Sequence, residues 1–321
     1  MNPLQEAAKI VLLDCMGIKQ DEIALVLTDG PCYKIGRALY EEGKNLCREV
    51  FLLEMVPRKI NGEEPPSEVA ELMKLVDVVI APLSKSITHT DARRNACKAN
   101  TRVGTMPGIT EEIMIRTMRA DYNRISMLTD RITEILSNGE MAHLTTALGS
   151  DLKIPIKGIQ AISSTGLVKN PGKFGNLPSG ESYLMPEEGK AEGIYYVDGS
   201  LAGVGLVRDN PIKITVENGI AVKIEGGKDA EKFSGMVNEV GDKARNLAEL
   251  GVGTNYMAQI NGTVLEDEKV LGTIHLALGN NVSMGGTVNV GFHVDGIITK
   301  PTLRIDDFLL LDNGKMQIEE Y

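Results

Sequence analysis

The sequence predicts an α/β amino-terminal domain built on a doubly wound parallel sheet, followed by a β-rich α+β domain. Three observations carry this reading. Short apolar runs alternate with helical patterns through the first part of the chain. From about Met141 the helical patterns give way to period-two alternation. The 321 residues are more than one hydrophobic core usually serves. The expected division is residues 1–138, Rossmann-like, and residues 139–321, β-rich.

In order along the chain, Leu4–Asp14 reads as a helix. Ile23–Leu27 is a first strand, ended by Thr28-Asp29-Gly30-Pro31. Tyr33–Leu46, Glu68–Val76 and Thr90–Ala99 are helical in pattern; Glu49–Val56, Val76–Ala81 and Arg102–Met106 are apolar strand runs between them. Strands separated by helices imply parallel pairing and a buried sheet. A helical stretch, Thr110–Leu136, is closed by Asn138-Gly139. Beyond it, Leu144–Ile156 and Pro211–Ile224 alternate with period two, and Asn218-Gly219 marks a tight hairpin. One strong helix is expected there, Ala230–Leu250, with Phe233, Val237, Val240, Ala244 and Leu247 on one stripe.

Composition narrows the function. A net charge of −10, from 34 basic and 44 acidic residues, argues against nucleic acid as the main partner and against an anionic membrane surface. No apolar run approaches the roughly 20 residues of a membrane span. The amino-terminal residues lack the apolar core of a signal peptide. Four cysteines, Cys15, Cys32, Cys47 and Cys97, fall in the first third without a close pairing motif. A cytoplasmic protein with reduced thiols is the expectation. The loop after the first strand, Asp29–Gly36, has neither the G-x-G-x-x-G spacing nor a phosphate-binding lysine loop, so nucleotide binding is not expected. His89 precedes a helix whose start Thr88 or Thr90 caps.

The candidate chemistry lies near the end of the chain. His275 stands in an alternating run in which Ile274, Leu276 and Leu278 point one way and Thr273, His275 and Ala277 the other. In the run Val288–Asp295, the polar face holds Asn289, Gly291, His293 and Asp295. Turn residues Gly279–Gly286 separate the two. A hairpin centred near Met284 puts His275 opposite His293 and Thr273 opposite Asp295. Imidazole and carboxylate together, beside small residues, suit zinc, cobalt, manganese or ferrous iron. Two more carboxylates stand out. Glu249 is read in the last turn of the Ala230–Leu250 helix, where the dipole disfavours an anion; a bound cation would offset this, and simple solvent exposure would also make it tolerable. Glu181 lies just past a turn in Asn176-Leu-Pro-Ser-Gly-Glu181.

Four ordered phrases now add up: N-L-P-S-G-E at 176–181, N-L-A-E-L-G-V-G-T-N at 246–255, E-K-V-L-G-T-I-H-L-A-L-G at 268–279 and H-V-D at 293–295. With them the chain resembles the thermophilic metallo-aminopeptidases of the aminopeptidase T and aminopeptidase S type (leucyl aminopeptidases). The resemblance spans the second domain and agrees with an α/β first domain. It implies a hydrolase of peptides, a homodimer, and two divalent ions, zinc, cobalt or manganese, held by Glu181, Glu249, His275, His293 and Asp295. Two metals roughly 3.5–4 Å apart activate a water, and Glu181 is the candidate catalytic carboxylate that takes its proton.

The chain departs from those peptidases where they carry a tyrosine after the third phrase; here the residues are Asn280-Asn281-Val282-Ser283. Tyr183 and Tyr256 are the candidates to stand in. The rival reading is a resemblance to dihydroxypyridine ring-cleaving dioxygenases, which implies one ferrous iron held by His275, His293 and Asp295. A non-catalytic metal-binding relative is the third reading.

Overall fold

The structure, a computed structural model, describes residues 2–207 and 210–318. The first strands and helices follow the expected order: α1 (Pro3–Ile10), β1 (Ile23–Asp29), α2 (Tyr33–Gly43), β2 (Glu49–Met55), α3 (Ser67–Met73), β3 (Val78–Leu83), α4 (Asp91–Lys98) and β4 (Arg102–Pro107). Thr90 caps α4, its side chain accepting from the Arg93 amide. The expected single helix over 110–136 is two, α5 (Glu111–Thr117) and α6 (Tyr122–Asn138). The carboxylate of Asp121 accepts from the amides of Asn123 and Arg124 and restarts the helix there. Then come β5 (Met141–Thr145), β6 (Asp151–Pro155), β7 (Ile162–Ser164) and β8 (Phe174–Asn176).

One five-stranded sheet has the order β2-β1-β3-β4-β8, parallel throughout. The six residues of β3 are all buried and β1 is buried but for its first residue, as a sheet covered on both faces requires. Leu25, Leu27, Val79, Ala81 and Val103 pack with Val69, Met73, Ala92 and Ala96 from α3 and α4.

The remaining strands are β9 (Glu181–Leu184), β10 (Glu192–Val197), β11 (Ser200–Leu201), β12 (Gly205–Leu206), β13 (Ile212–Glu217), β14 (Ile220–Glu225), β15 (Leu247–Gly253), β16 (Ile274–Gly279), β17 (His293–Ile298), β18 (Thr302–Ile305), β19 (Phe308–Asp312) and β20 (Lys315–Met316). The Asn218-Gly219 turn joins β13 to β14, with both residues at positive φ as the hairpin expectation requires. Helix α7 (Lys228–Val240) stops at Gly241. That is ten residues short of the expected Leu250. Gly241 sits at φ 98°, a conformation that glycine adopts without a steric penalty and that ends the helix. The segment Leu247–Gly253 is instead β15, a strand buried along its whole length. A continuous apolar run has no period of its own, so a central strand there reads as more helix.

These strands form two antiparallel sheets, β14-β13-β10-β6-β5-β18-β19-β20 and β12-β11-β17-β16-β15-β9-β7. Their facing side chains share one core with Leu128, Ile132 and Leu136 of α6 and Phe233 and Val237 of α7. Contacts divide the chain into Met1–Ser126 with Ser164–Ser179, and Met127–Ser163 with Gly180–Tyr321. This differs from a single cut after residue 138, because the later segment carrying β8 belongs to the parallel sheet.

Candidate metal centre

The seven-stranded sheet sorts its residues by parity. In β9, β15, β16 and β17, the even positions Leu184, Leu250, Val252, Ile274, Leu276, Leu278, Val294 and Ile298 enter the core. The odd positions face the other way, except Leu247, which a bulge before Glu249 leaves in the core. Register aligns them: Gly251 pairs with Tyr183 and with His275, Gly253 with Glu181, Ala277 with both Glu249 and Asp295, and Gly279 with His293. Paired residues of an antiparallel ladder share a face. Glu181, Tyr183, Glu249, His275, His293 and Asp295 therefore stand on one surface, brought from four strands.

The expected register is corrected. His275 lies opposite Ile297, and His293 opposite Gly279, a slip of four residues from the hairpin centred near Met284. An even slip leaves every side chain on its face, so the two imidazoles still converge. Glu249 sits mid-strand rather than at a helix end, which removes the dipole argument for a cation there.

Glu249 is the hub. His275 Nε2 lies 3.2 Å from its Oε1, and His293 Nε2 lies 3.3 Å from its Oε2. Asp295 Oδ1 is 3.6 Å from His293 Nε2, and Glu181 Oε2 is 3.6 Å from His275 Nε2. Donors each ~2.1 Å from one ion and ~90–110° apart are about 3.0–3.4 Å from each other; the two approaches to Glu249 fall in that range, and the two at 3.6 Å are wider. Ligating atoms of Glu249, His293 and Asp295 all lie within 4.8 Å of one another. His275 is fully buried, while the side chain of His293 is 34% exposed and Asp295, Glu181 and Glu249 are buried.

Orientation of the imidazoles comes from their surroundings. The backbone carbonyl of Asn280 accepts from His293 Nδ1 at 2.7 Å, which leaves Nε2 as the atom aimed at the carboxylates. His275 Nδ1 is buried without a partner among the described residues, so packing fixes that ring. Gly251 provides the space: a Cβ there would lie 2.0 Å from His275 Nε2. The glycines of the Gly251-Val252-Gly253 motif are thus steric requirements of the centre.

Charge then sets protonation. Burial favours neutral His275, but donation to Glu249 and the charges of Glu181, Glu249 and Asp295 outweigh it and raise its pKa to about 9. His293 is likewise carried well above its usual value, burial being overcome by Asp295 and Glu249. Burial raises Glu249, yet the two imidazoles hold its carboxyl well below the usual range. Such a nest of anions around two imidazoles, with pKa values displaced this way, marks a candidate functional site.

Two residues of this cluster escape the motif reasoning. Lys269 is fully buried, with Nζ 2.7 Å from Glu181 Oε1 and paired as well with Glu268. Burial disfavours its charge, but the two carboxylates overcome this and push its pKa up. Burial, with Glu181 and Asp295 nearby, raises Glu268 to about 8 even though Lys269 pulls it down. Both lie in the quoted phrase at 268–279, and a lysine closing the acidic run Glu266-Asp267-Glu268 just before the His275 strand was the available signal. Of the two candidate tyrosines, Tyr183 shares the site face and has its hydroxyl pKa raised by burial and by Glu181 and Glu249. Tyr256 lies in the turn after β15.

The comparisons with known proteins bear on what such a centre does. Residues 56–318, most of the chain, match the family model described as NicX, 2,5-dihydroxypyridine 5,6-dioxygenase. The chain belongs to that family. It is 22% identical over 248 residues to the 2,5-dihydroxypyridine 5,6-dioxygenase of Pseudomonas putida KT2440, covering 73% of this chain and 69% of that protein. The solved structure of the 2,5-dihydroxypyridine dioxygenase from that organism superposes with a TM-score of 0.85 at 18% identity, over 99% of this chain and 97% of that one. Wild-type AmpT from Thermus thermophilus superposes with a TM-score of 0.72 at 17% identity, over 98% and 99%.

The family match overturns the expectation of a hydrolase, and with it the aminopeptidase and metalloprotease readings. Likeness to AmpT extends to the fold. Carboxylates and imidazoles on one sheet face bind divalent ions for either chemistry, so the ligand phrases could not separate an oxygenase from a peptidase. No helix among the described residues is long and apolar enough to cross a membrane.

Proposed function

We propose that this chain is an iron(II)-dependent ring-cleaving dioxygenase acting on a dihydroxylated pyridine. Membership of the dihydroxypyridine dioxygenase family supports the reaction class. That membership is the observation that carries the reading; the approach of both imidazole Nε2 atoms to Glu249, with Asp295 beside His293 on the same sheet face, supports a metal site there. His275, His293 and Asp295 are the residues that hold the ion, two imidazoles and one carboxylate as ferrous oxygenases use. A bound ferrous ion supplies the open positions and the redox chemistry that bring dioxygen to an aromatic ring.

The protein's own groups do the rest. Asn280, through its carbonyl, keeps the His293 ring turned with Nε2 inward. In the metal-free protein Glu249 lies between the imidazoles and holds their two Nε2 atoms toward the ion's place. Glu181, with one oxygen facing His275, is assigned to accept the proton of a ring hydroxyl as the substrate binds. The substrate is a small aromatic molecule, and the active assembly is a homodimer, which sedimentation equilibrium tests.

The deciding experiment is anaerobic loading with ferrous iron followed by oxygen-uptake measurements on 2,5-dihydroxypyridine. One iron per chain and stoichiometric oxygen consumption are expected, with His275→Ala and Asp295→Asn losing both iron and turnover. Iron-loaded protein that consumes no oxygen with any dihydroxypyridine, or His275→Ala that keeps its iron, would refute the proposal.

A further inference from the structure

Lys269 is among the largest fully buried side chains in the protein, and it sits beside the candidate centre rather than in the apolar core. A lysine is almost never wholly buried unless its charge is paired. Both partners here are carboxylates, Glu181 and Glu268. Four acids, Glu181, Glu249, Glu268 and Asp295, crowd this region, and Lys269 is the lysine paired among them. Its ammonium takes Glu181 Oε1 and leaves Oε2 facing His275 Nε2.

The position from which the ammonium reaches Glu181 is itself fixed. The Lys269 carbonyl accepts from the Asn255 amide at 2.8 Å, and the Lys269 amide donates to the Glu266 carbonyl at 2.9 Å. A Cβ at Gly253 would lie 2.8 Å from the Lys269 carbonyl carbon and 2.2 Å from the Val270 oxygen. Gly253 is also the ladder partner of Glu181. The absence of a side chain at 253 thus lets the backbone that carries Lys269 lie against β15, opposite the carboxylate it grips.

We propose that Lys269 is a positioning residue of this centre: anchored against Gly253, it bridges Glu181 and Glu268 and aims the free oxygen of Glu181 at His275. A charge-assisted contact of this kind restricts the carboxylate to one orientation. The inference rests on the dioxygenase reading only where turnover is concerned; the effect on the metal environment does not depend on it.

The test compares wild-type protein with Lys269→Met and Lys269→Arg, each loaded with ferrous iron, and separately with cobalt(II) for its visible absorption bands. For Lys269→Met we expect unchanged metal stoichiometry, shifted cobalt bands, a kcat per bound metal lowered about 100-fold and a KM changed less than about threefold, as for a misplaced catalytic group. Lys269→Arg should restore part of kcat. A loss of turnover that only tracks lost metal, with kcat per bound metal unchanged, overturns the proposal, because that is a purely structural role. Wild-type cobalt bands in Lys269→Met overturn it as well. If Lys269→Met does not fold, Lys269→Gln, which keeps a donor but not the charge, is judged by the same criteria. Should the wild type show no oxygenase activity, the cobalt spectra alone still decide the role of Lys269.

Discussion

The closest steric fit in the centre lies between Gly251 and the ring of His275, and Gly251→Ala tests it directly. The added Cβ would sit 2.0 Å from Nε2 and 2.1 Å from Cε1, where ordinary contact begins near 3.4 Å. The ring must retreat by about 1.4 Å, or β15 and β16 must part. A retreat of that size breaks the 3.2 Å approach of Nε2 to Glu249. Overpacking a buried site costs ~1–3 kcal/mol, and a disturbed ligand orientation typically costs ~10–100-fold in metal affinity. The variant should therefore unfold at lower denaturant concentration and bind iron or cobalt at least tenfold more weakly by competition with a chelator. Gly235→Ala is the control, since nothing lies within 4 Å of a Cβ there; alanine at that exposed position of α7 should stabilise by ~0.5–1 kcal/mol. Wild-type metal affinity in Gly251→Ala would refute the argument that His275 is held by the space left at 251.

Three further outcomes follow from the electrostatics and the loop. In the metal-free protein His275 stays protonated up to about pH 9 and His293 is raised likewise, so metal must displace protons. Affinity should climb from pH 6 toward pH 9, and calorimetry in buffers of different ionisation enthalpy should detect proton release; pH-independent binding would contradict the assignment. The sign for stability is opposite: with the folded pKa of His275 above its ordinary value, its contribution to the metal-free fold is complete below about pH 6.5 and is lost as pH rises through 9, which thermal melts of wild type against His275→Gln will show. Glu188 ties down the connection before His293, accepting from Asn281 Nδ2, the Thr287 amide and the Thr287 hydroxyl at 2.7–2.8 Å. Glu188→Ala should cost ~1–3 kcal/mol and speed hydrogen exchange over residues 280–292, and unchanged exchange there would mean this strap does not hold the loop.

Much of the architecture was legible because it rests on local pattern. Apolar runs separated by helical periods marked the parallel sheet, and Asn218-Gly219 marked a hairpin whose backbone needs positive φ at both residues. Where pattern lost its period, the reading failed. Leu247–Gly253 is buried on both faces and carries a single charge, Glu249, so nothing local announced that the helix had ended at Gly241. The candidate ligands were legible for a different reason. Alternation assigns each residue to a face, and the face survived a register error of four residues because four is even.

Sequence order and side-chain chemistry were enough to say that acids and imidazoles of the second half share a surface able to hold a divalent cation. Register, and with it the partners of each residue, was settled by long-range pairing: Glu249 between two imidazoles, Gly251 beneath a ring, Lys269 gripping Glu181. Those relations join residues up to 88 positions apart in the chain, and no local spacing encodes a distance across strands. The reaction class lay beyond both, since the same donors serve hydrolysis or oxygen chemistry according to the ion and substrate they meet, and it was the family match that chose between them.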